Sequence, residues 1–255
     1  MGKNLRETPT ILGTRVDPTS YEDATRKVLE WALAEESRYV CVANVHVIME
    51  AYDDPTYRAV LNSADLVTPD GMPLVWMLRK KGFRGQERVY GPELTLRVCS
   101  HAAARGIPVG FYGSRSEVLE ALKSRLKDRY PKLDVAFSHS PPFRPLSLAE
   151  DLDVVERVHA SGARILFVGL GCPKQERWMA EHKGRIKAVM LGVGAAFNLI
   201  AGFLPQAPEW MQRAGLEWVY RLIQEPTRLA PRYFKHNPRF AILAAVELLR
   251  EVNHS

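Results

Sequence analysis

The chain has 255 residues, 46% apolar and 25% charged, which excludes a disordered or low-complexity protein and allows one large domain or two small ones. A formal charge of +6 favours an anionic partner, whether phosphate, nucleic acid or membrane surface, and composition does not choose among them. Cys41, Cys99 and Cys172 are far apart with no metal or redox spacing, so they read as reduced thiols of a cytosolic protein.

The N-terminal MGKNLRETPT has no apolar signal segment, and Arg6 stands where a myristoylation motif wants Ser or Thr. From there strand-like and helix-like segments alternate for most of the chain. Residues 38–45, RYVCVANV, read as a buried strand; Asp54-Pro55 reads as an N-cap followed by Pro at the first helical position. Residues 64–68 are strand-like, 72–82 helical, and 91–106 helical with a closing Gly106. A strand at 107–113 precedes a helix at 116–130 and a strand at 134–138. Ser147 and Glu150 have capping-box spacing for the next helix. A strand at 164–171, a helix at 173–182, a strand at 188–194 and a helix at 195–202 complete the pattern.

These strands are continuous apolar runs, as expected where helices cover both faces of a sheet. The fold class is α/β, Rossmann-like, with a mostly parallel sheet. Residues 1–205 read as this α/β core and 206–255 as a basic, aromatic-rich helical appendage interrupted by prolines. Its longest apolar run, AILAAVELL, is broken by Glu247 and falls far short of the about 20 residues that span a bilayer. Trp210, Trp218, Tyr220, Tyr233 and Phe234 beside arginines fit a peripheral membrane helix as well as a solvated amphipathic one.

Ligands in such folds bind beyond the carboxyl ends of the strands. Asp70, Gly113, Gly169, Gly171, Gly192 and Gly194 all fall there. Pro69-Asp70-Gly71 fits an ordinary turn, and equally a carboxylate held rigidly at the mouth of the sheet. The two glycine loops lack the third glycine of a dinucleotide fingerprint, and about 20 residues beyond Gly169 lies Val189 rather than a ribose-binding acid. Asp151 and Asp153 fall in the first turn of a helix, where acids serve the helix dipole rather than a metal. Among the histidines, His46 stands out because it follows a strand end; His159 and His182 read as solvated helix residues.

The blocks NVHVIMEAYDDPTYRAVLNSADLVTPDGMPLVW, ERVYGPELT, FYGS, FVGLGCPKQERWM, GVGAAFNLIAG and APEWMQRAGLEWVYRLIQEPTRLAPRY occur in this order. Together they closely resemble the WecG/TagA/CpsF glycosyltransferases (glycosyltransferase family 26) over roughly residues 9–235. The resemblance implies an inverting transfer of a sugar from a UDP-sugar, N-acetylmannosamine-like by default, to a polyprenyl-diphosphate-linked sugar. It implies cell-surface polysaccharide biosynthesis at the inner face of the cytoplasmic membrane, with no metal or other cofactor and no nucleic-acid partner. It also leaves room for a homo-oligomer.

By the same resemblance Asp70 is the catalytic base. Asn44 faces a sugar; Gly113, Gly169, Gly171 and Gly194 admit the nucleotide and its diphosphate. His46, chosen for its place after the strand end, is a further substrate-binding candidate. Gln175 and Glu176 hydrogen-bond uridine or sugar. Arg221 and Arg228 match appendage arginines that meet a diphosphate, with Arg88 and Arg232 as further candidates. The chain departs from many relatives at Val42, Glu93, Asn198, Gln206 and Pro231. The rival readings are an NAD-dependent Rossmann enzyme and a non-catalytic polyanion- or membrane-binding module.

Overall fold

The computed structural model describes residues 8–252; most of the N-terminal segment read for targeting signals, and His254, lie outside it. A small hairpin, β1 (Thr10–Ile11) and β2 (Thr14–Arg15), comes first, followed by α1 (Tyr21–Leu33). Neither was anticipated, since the alternating pattern was read only from residue 38. The main sheet then begins with β3 (Arg38–Ala43), α2 (Val45–Asp53), α3 (Pro55–Asn62), β4 (Leu66–Pro69), α4 (Met72–Lys80) and α5 (Gly91–Arg105). It continues with β5 (Val109–Gly113), α6 (Ser116–Arg129), β6 (Val135–His139), α7 (Leu148–Ser161), β7 (Ile165–Gly169), α8 (Lys174–His182), β8 (Val189–Gly192) and α9 (Ala196–Ala201). The last elements are α10 (Glu209–Arg213), α11 (Glu217–Gln224) and α12 (Pro226–Val252).

Six strands form one parallel sheet in the order β4-β3-β8-β7-β5-β6. This is the expected α/β, Rossmann-like class. Alternate strand residues feed two cores. Tyr39, Cys41, Val67, Tyr112, Leu166 and Met190 pack on one face with α2, α3, α4, α7 and α8. Val40, Leu66, Phe111, Phe167, Val189 and Leu191 pack on the other with α1, α5, α6 and α9. The edge of β4 is covered: Val67 N–H donates to the Asp17 carboxylate at 2.7 Å, and Asp17 N–H donates to Val67 O at 2.8 Å.

The local signals act as their chemistry requires. Asp54 caps α3, accepting from Thr56 N–H at 2.9 Å, with Pro55 at the first helical position. Ser147 and Glu150 form a complete capping box on α7. Gly106 closes α5 in the left-handed conformation.

Two expectations are corrected. His182 is not solvated: it is 1% exposed, with Nε2 at 2.9 Å from Asp151 Oδ1 and Nδ1 at 2.7 Å from Trp178 O. Its sequence position on a polar stretch of α8 hides that α7 lies against it. Nor do prolines interrupt the last helix, which runs 27 residues through Pro231 and Pro238. An interior proline costs a helix about 3 kcal/mol. Here a stripe of Leu229, His236, Phe240 and Ala244 is buried, and Phe240 and Ala244 belong to the same core as α2 and α4. Burying a large apolar side chain contributes about 1.5–3 kcal/mol, so tertiary packing carries the helix across both prolines. Polar ties add to it: Arg239 to Asp53 at 2.6 Å, Lys81 to Glu247 at 2.7 Å, and Leu12 N–H to Glu247 at 2.7 Å.

Phe240→Ala is therefore expected to cost about 3–5 kcal/mol, read as a lower denaturation midpoint and faster amide exchange across residues 226–252. Ile242→Ala, two residues on but 65% exposed, is expected to change stability by less than about 0.5 kcal/mol.

Candidate active site

Strands β3 and β8 are neighbours whose following helices, α2 and α9, lie on opposite faces of the sheet. Such a reversal opens a crevice beyond the strand ends. Asn44 ends β3 and caps α2, its Oδ1 accepting from His46 N–H at 3.0 Å and Val47 N–H at 3.3 Å. That leaves its amide NH₂ available to a ligand. One strand over, Asp70 N–H donates to Ala43 O at 2.7 Å, prolonging the β3–β4 pairing to the edge of the crevice. Gly71, with φ −89°, is simply the N-cap of α4. Pro69-Asp70-Gly71 is thus a strand-to-helix corner that fixes a carboxylate, rather than a hairpin-type turn.

The carboxylate of Asp70 pairs with Arg88, whose Nη2 lies 2.9 Å and Nε 3.2 Å from Oδ1. Arg88 Nε also donates to the Asp70 carbonyl. Through Nη1 the same guanidinium reaches Glu217 of α11 at 2.7 Å, and its Cζ sits 4.1 Å from the centre of the Tyr90 ring. Burial pushes the Asp70 carboxyl up to about 6, opposed by Arg88 and reinforced by the nearby Glu217 charge. The Tyr90 hydroxyl is buried without a hydrogen-bond partner, and burial raises its pKa.

A cavity of about 520 Å³ opens over these groups. Asn44, His46, Asp70, Arg88, Arg221 and Arg232 all line it, so six of the residues singled out from sequence meet there. Arg221 has no ion-pair partner among the described residues. Arg232 Nε is buried without a hydrogen bond, and burial lowers its pKa from the ordinary arginine value. Both guanidiniums are therefore open to an anion. Farther along, the cavity becomes apolar between α4 and α12, where Trp76, Met77, Phe240, Ala244 and Leu248 line it.

The remaining sequence-selected residues lie elsewhere. Gly113, Gly169, Gly171 and Gly194 stand at or just beyond the ends of β5, β7 and β8, outside the cavity lining. Gly113 has φ +116°, and a Cβ there would stand 2.6 Å from the Gly169 carbonyl carbon, so side chains are excluded where these two strand ends meet. Gln175 is buried and accepts from Gly171 N–H at 3.1 Å, while its amide donates to Glu176 at 2.8 Å. Glu176 is fully buried, one carboxylate oxygen lacks a partner, and burial raises its pKa. Arg228 does not line the cavity and is bonded to Glu225 at 2.5 and 2.8 Å.

Glu217 was missed from sequence, although it lies inside the recognised GLEWVY stretch. Its meaning depends on Arg88, 129 positions away, and no local pattern announces that.

The family model of the glycosyl transferase WecG/TagA/CpsF family matches residues 9–254, nearly the whole chain. The chain belongs to this family. It is a glycosyltransferase of polysaccharide biosynthesis, acting on a sugar donor and an acceptor. The dinucleotide reading, already weakened by two incomplete glycine loops, gives way to this assignment. For the transferase, a buried carboxylate that ionises near neutrality is suited to taking a proton from an acceptor hydroxyl.

In an NMR titration of the transferase carrying ¹³C-labelled aspartate, one carboxyl is expected to titrate near pH 6, and its signal to vanish in Asp70→Asn. Glu217→Gln removes a neighbouring negative charge, so the ionised form of Asp70 becomes easier to make and the midpoint moves down. An unmoved midpoint would show that Glu217 does not act on Asp70.

Proposed function

We propose that this transferase inverts the anomeric centre of a UDP-sugar, N-acetylmannosamine-like by family default, in passing that sugar to a polyprenyl-diphosphate-linked sugar. The observation that carries this reading is the cavity itself. A buried carboxylate poised near neutral pH faces two guanidiniums without acid partners, and an apolar arm leads away from them. An acid that acts once as a base, beside cations for phosphate and a hydrocarbon-lined extension, matches an acceptor that is a sugar, a diphosphate and a lipid in sequence.

In the proposed step Asp70 accepts the proton of the acceptor hydroxyl as its oxygen attacks the anomeric carbon. The bond from that carbon to the UDP oxygen breaks on the opposite side, and UDP leaves with the electron pair. One carboxylate suffices because no glycosyl-enzyme intermediate forms. Arg88 keeps Asp70 oriented, while the Asn44 amide and Tyr90 hydroxyl are placed to hold sugar hydroxyls. The glycine-bordered ends of β5, β7 and β8 take the nucleotide, where backbone N–H groups approach phosphate closely. Arg221 and Arg232 take a diphosphate, and Lys80 stands at the same cavity. Fixed cations and N–H donors then do the charge stabilisation, with no metal needed for the transfer.

The reading includes association with the inner membrane face. No helix among the described residues is long and apolar enough to cross a membrane. The appendage exposes Trp210 at 64%, Ile223 at 71% and Phe234 at 75%, beside basic residues, as an interfacial surface requires. Because α12 also carries core residues, point substitutions probe this better than truncation. Trp210→Ser/Ile223→Ser/Phe234→Ser is expected to stay folded and lose flotation with anionic vesicles; unchanged flotation would remove the appendage as the anchor.

The reaction is tested by UDP release across a panel of UDP-sugars, with a short-chain prenyl-diphosphate-N-acetylglucosamine acceptor. Acceptor-dependent release from one donor is expected, reduced about 10²–10⁴-fold in Asp70→Asn. Equal rates in the two proteins would return Asp70 to a purely structural corner.

A further inference from the structure

Below the reacting carboxylate, α2 and α12 bring together a group the transfer chemistry does not use. His46 and Glu50 are four residues apart on α2, so their side chains share one helix face. His236 of α12 packs over them, its ring centre 5.1 Å from that of His46. His236 Nε2 is 3.1 Å from Glu50 Oε1, and His46 Nδ1 is 3.8 Å from the same oxygen. The first is a short ion-pair distance and the second is longer still; neither His46 nor His236 forms a hydrogen bond to Glu50 among the described residues. His46 Nδ1 is nonetheless buried, with no hydrogen-bond partner, and directed at a carboxylate it does not reach. An ion pair with Glu50 engages only His236 Nε2; the Nδ1 atoms of both His46 and His236 are buried without a hydrogen-bond partner.

We propose that His46, Glu50 and His236 are the protein ligands of a divalent transition-metal ion, with Zn²⁺ the best match, which clamps the appendage helix to the core. Two imidazoles and a carboxylate are a recurrent zinc donor set that leaves one position for water. With bonds of about 2.0–2.2 Å, ligand atoms around a tetrahedral ion are about 3.4 Å apart. The separations of 3.1 and 3.8 Å bracket that value, and the ligand atoms of all three residues lie within 4.8 Å of one another. Small rotations of the two rings close the set.

The surroundings suit neutral imidazole ligands. Burial first, then Arg232, His236 and Lys235, hold His46 down at about 3, and burial also lowers His236 against the pull of Glu50. Both rings therefore keep free lone pairs at neutral pH, as metal binding requires. Lys235 and Arg239 are engaged by Asp53 at 3.8 and 2.6 Å. Arg232 is the cation that opposes a second positive charge here, so binding must come from imidazole coordination rather than field strength. That favours Zn²⁺ or Co²⁺ over Mg²⁺ and Ca²⁺, which prefer oxygen ligands.

The ion would stand outside the reacting centre. Of its three ligands only His46 lines the cavity. Its effect is positional: α2 begins at the Asn44 cap, and Arg232 lies one turn before His236 on α12. Tying these helices sets how the appendage arginines face Asn44 and Asp70. The proposal does not depend on which sugar is transferred, or on whether one is.

The test uses the full chain without a histidine tag, stripped with chelator and titrated with Zn²⁺, Co²⁺ or Mg²⁺. Native mass spectrometry is expected to show one bound Zn²⁺ per chain. Co²⁺ should give the visible absorption of a tetrahedral nitrogen and oxygen site, Mg²⁺ should not bind, and Zn²⁺ should slow amide exchange in residues 226–252. His236→Ala is expected to lose the bound ion, and Glu50→Gln, which keeps the side chain's shape, to lose it in a fold unchanged by circular dichroism. No Zn²⁺ on the wild-type chain would overturn the proposal. So would equal binding by the folded variants, which would leave only scattered surface histidines, or equal uptake of Mg²⁺.

Discussion

The Arg88 guanidinium, held between Asp70 and Glu217, joins three parts of this protein that are distant in the chain or belong to different elements. It contacts the corner after β4, the loop leading into α5 and the first residue of α11, all in a setting largely closed to water. Removing one member of such a group typically costs about 3–5 kcal/mol, because the others are left buried and uncompensated. The same contacts set the charge state of Asp70. Burial alone would hold that carboxyl neutral more strongly; Arg88 pulls it back, and Glu217 limits how far. The Asp70 carboxyl is thereby poised near neutrality by the docking of the appendage as well as by the core.

That coupling explains why the C-terminal helices are built into the core rather than tethered to it. Phe240 and Ala244 of α12 complete the core shared by α2 and α4, and the cavity runs along this seam. One face of α12 closes the cavity while the opposite side leaves Phe234, Ile242 and Leu249 exposed. A single long helix thus carries apolar side chains both at the cavity and on its exposed side. The basic balance of the chain acquires a location in the same way: Arg221, Arg232 and Lys80 gather at the cavity, whereas Arg228 and Arg239 are spent on ion pairs.

Much of the framework was legible beforehand because its causes are local. Continuous apolar runs announced buried parallel strands, Asp54-Pro55 and Ser147 to Glu150 announced helix starts, and Gly106 announced a helix end. Asp70, Asn44 and Gly113 were placed at strand ends by the same reasoning, and six motif blocks in order identified the family. Reading failed where a distant partner decides the outcome. His182 is a polar residue in a polar stretch until Asp151 and Trp178 surround it, and the prolines of α12 look like breaks until packing overrides them.

The sequence by itself therefore determined the fold class and the carboxylate at the mouth of the sheet, because propensity, capping and periodicity act over a few residues, and its ordered motif blocks carried the resemblance to the family. Only the tertiary structure decided the acidity of Asp70, the role of Glu217, the choice of Arg221 and Arg232 over Arg228, and the meeting of His46 with His236. Apart from the local Glu225 partner of Arg228, these rest on burial or on groups far apart in the chain, and such fields exist only once the chain has folded.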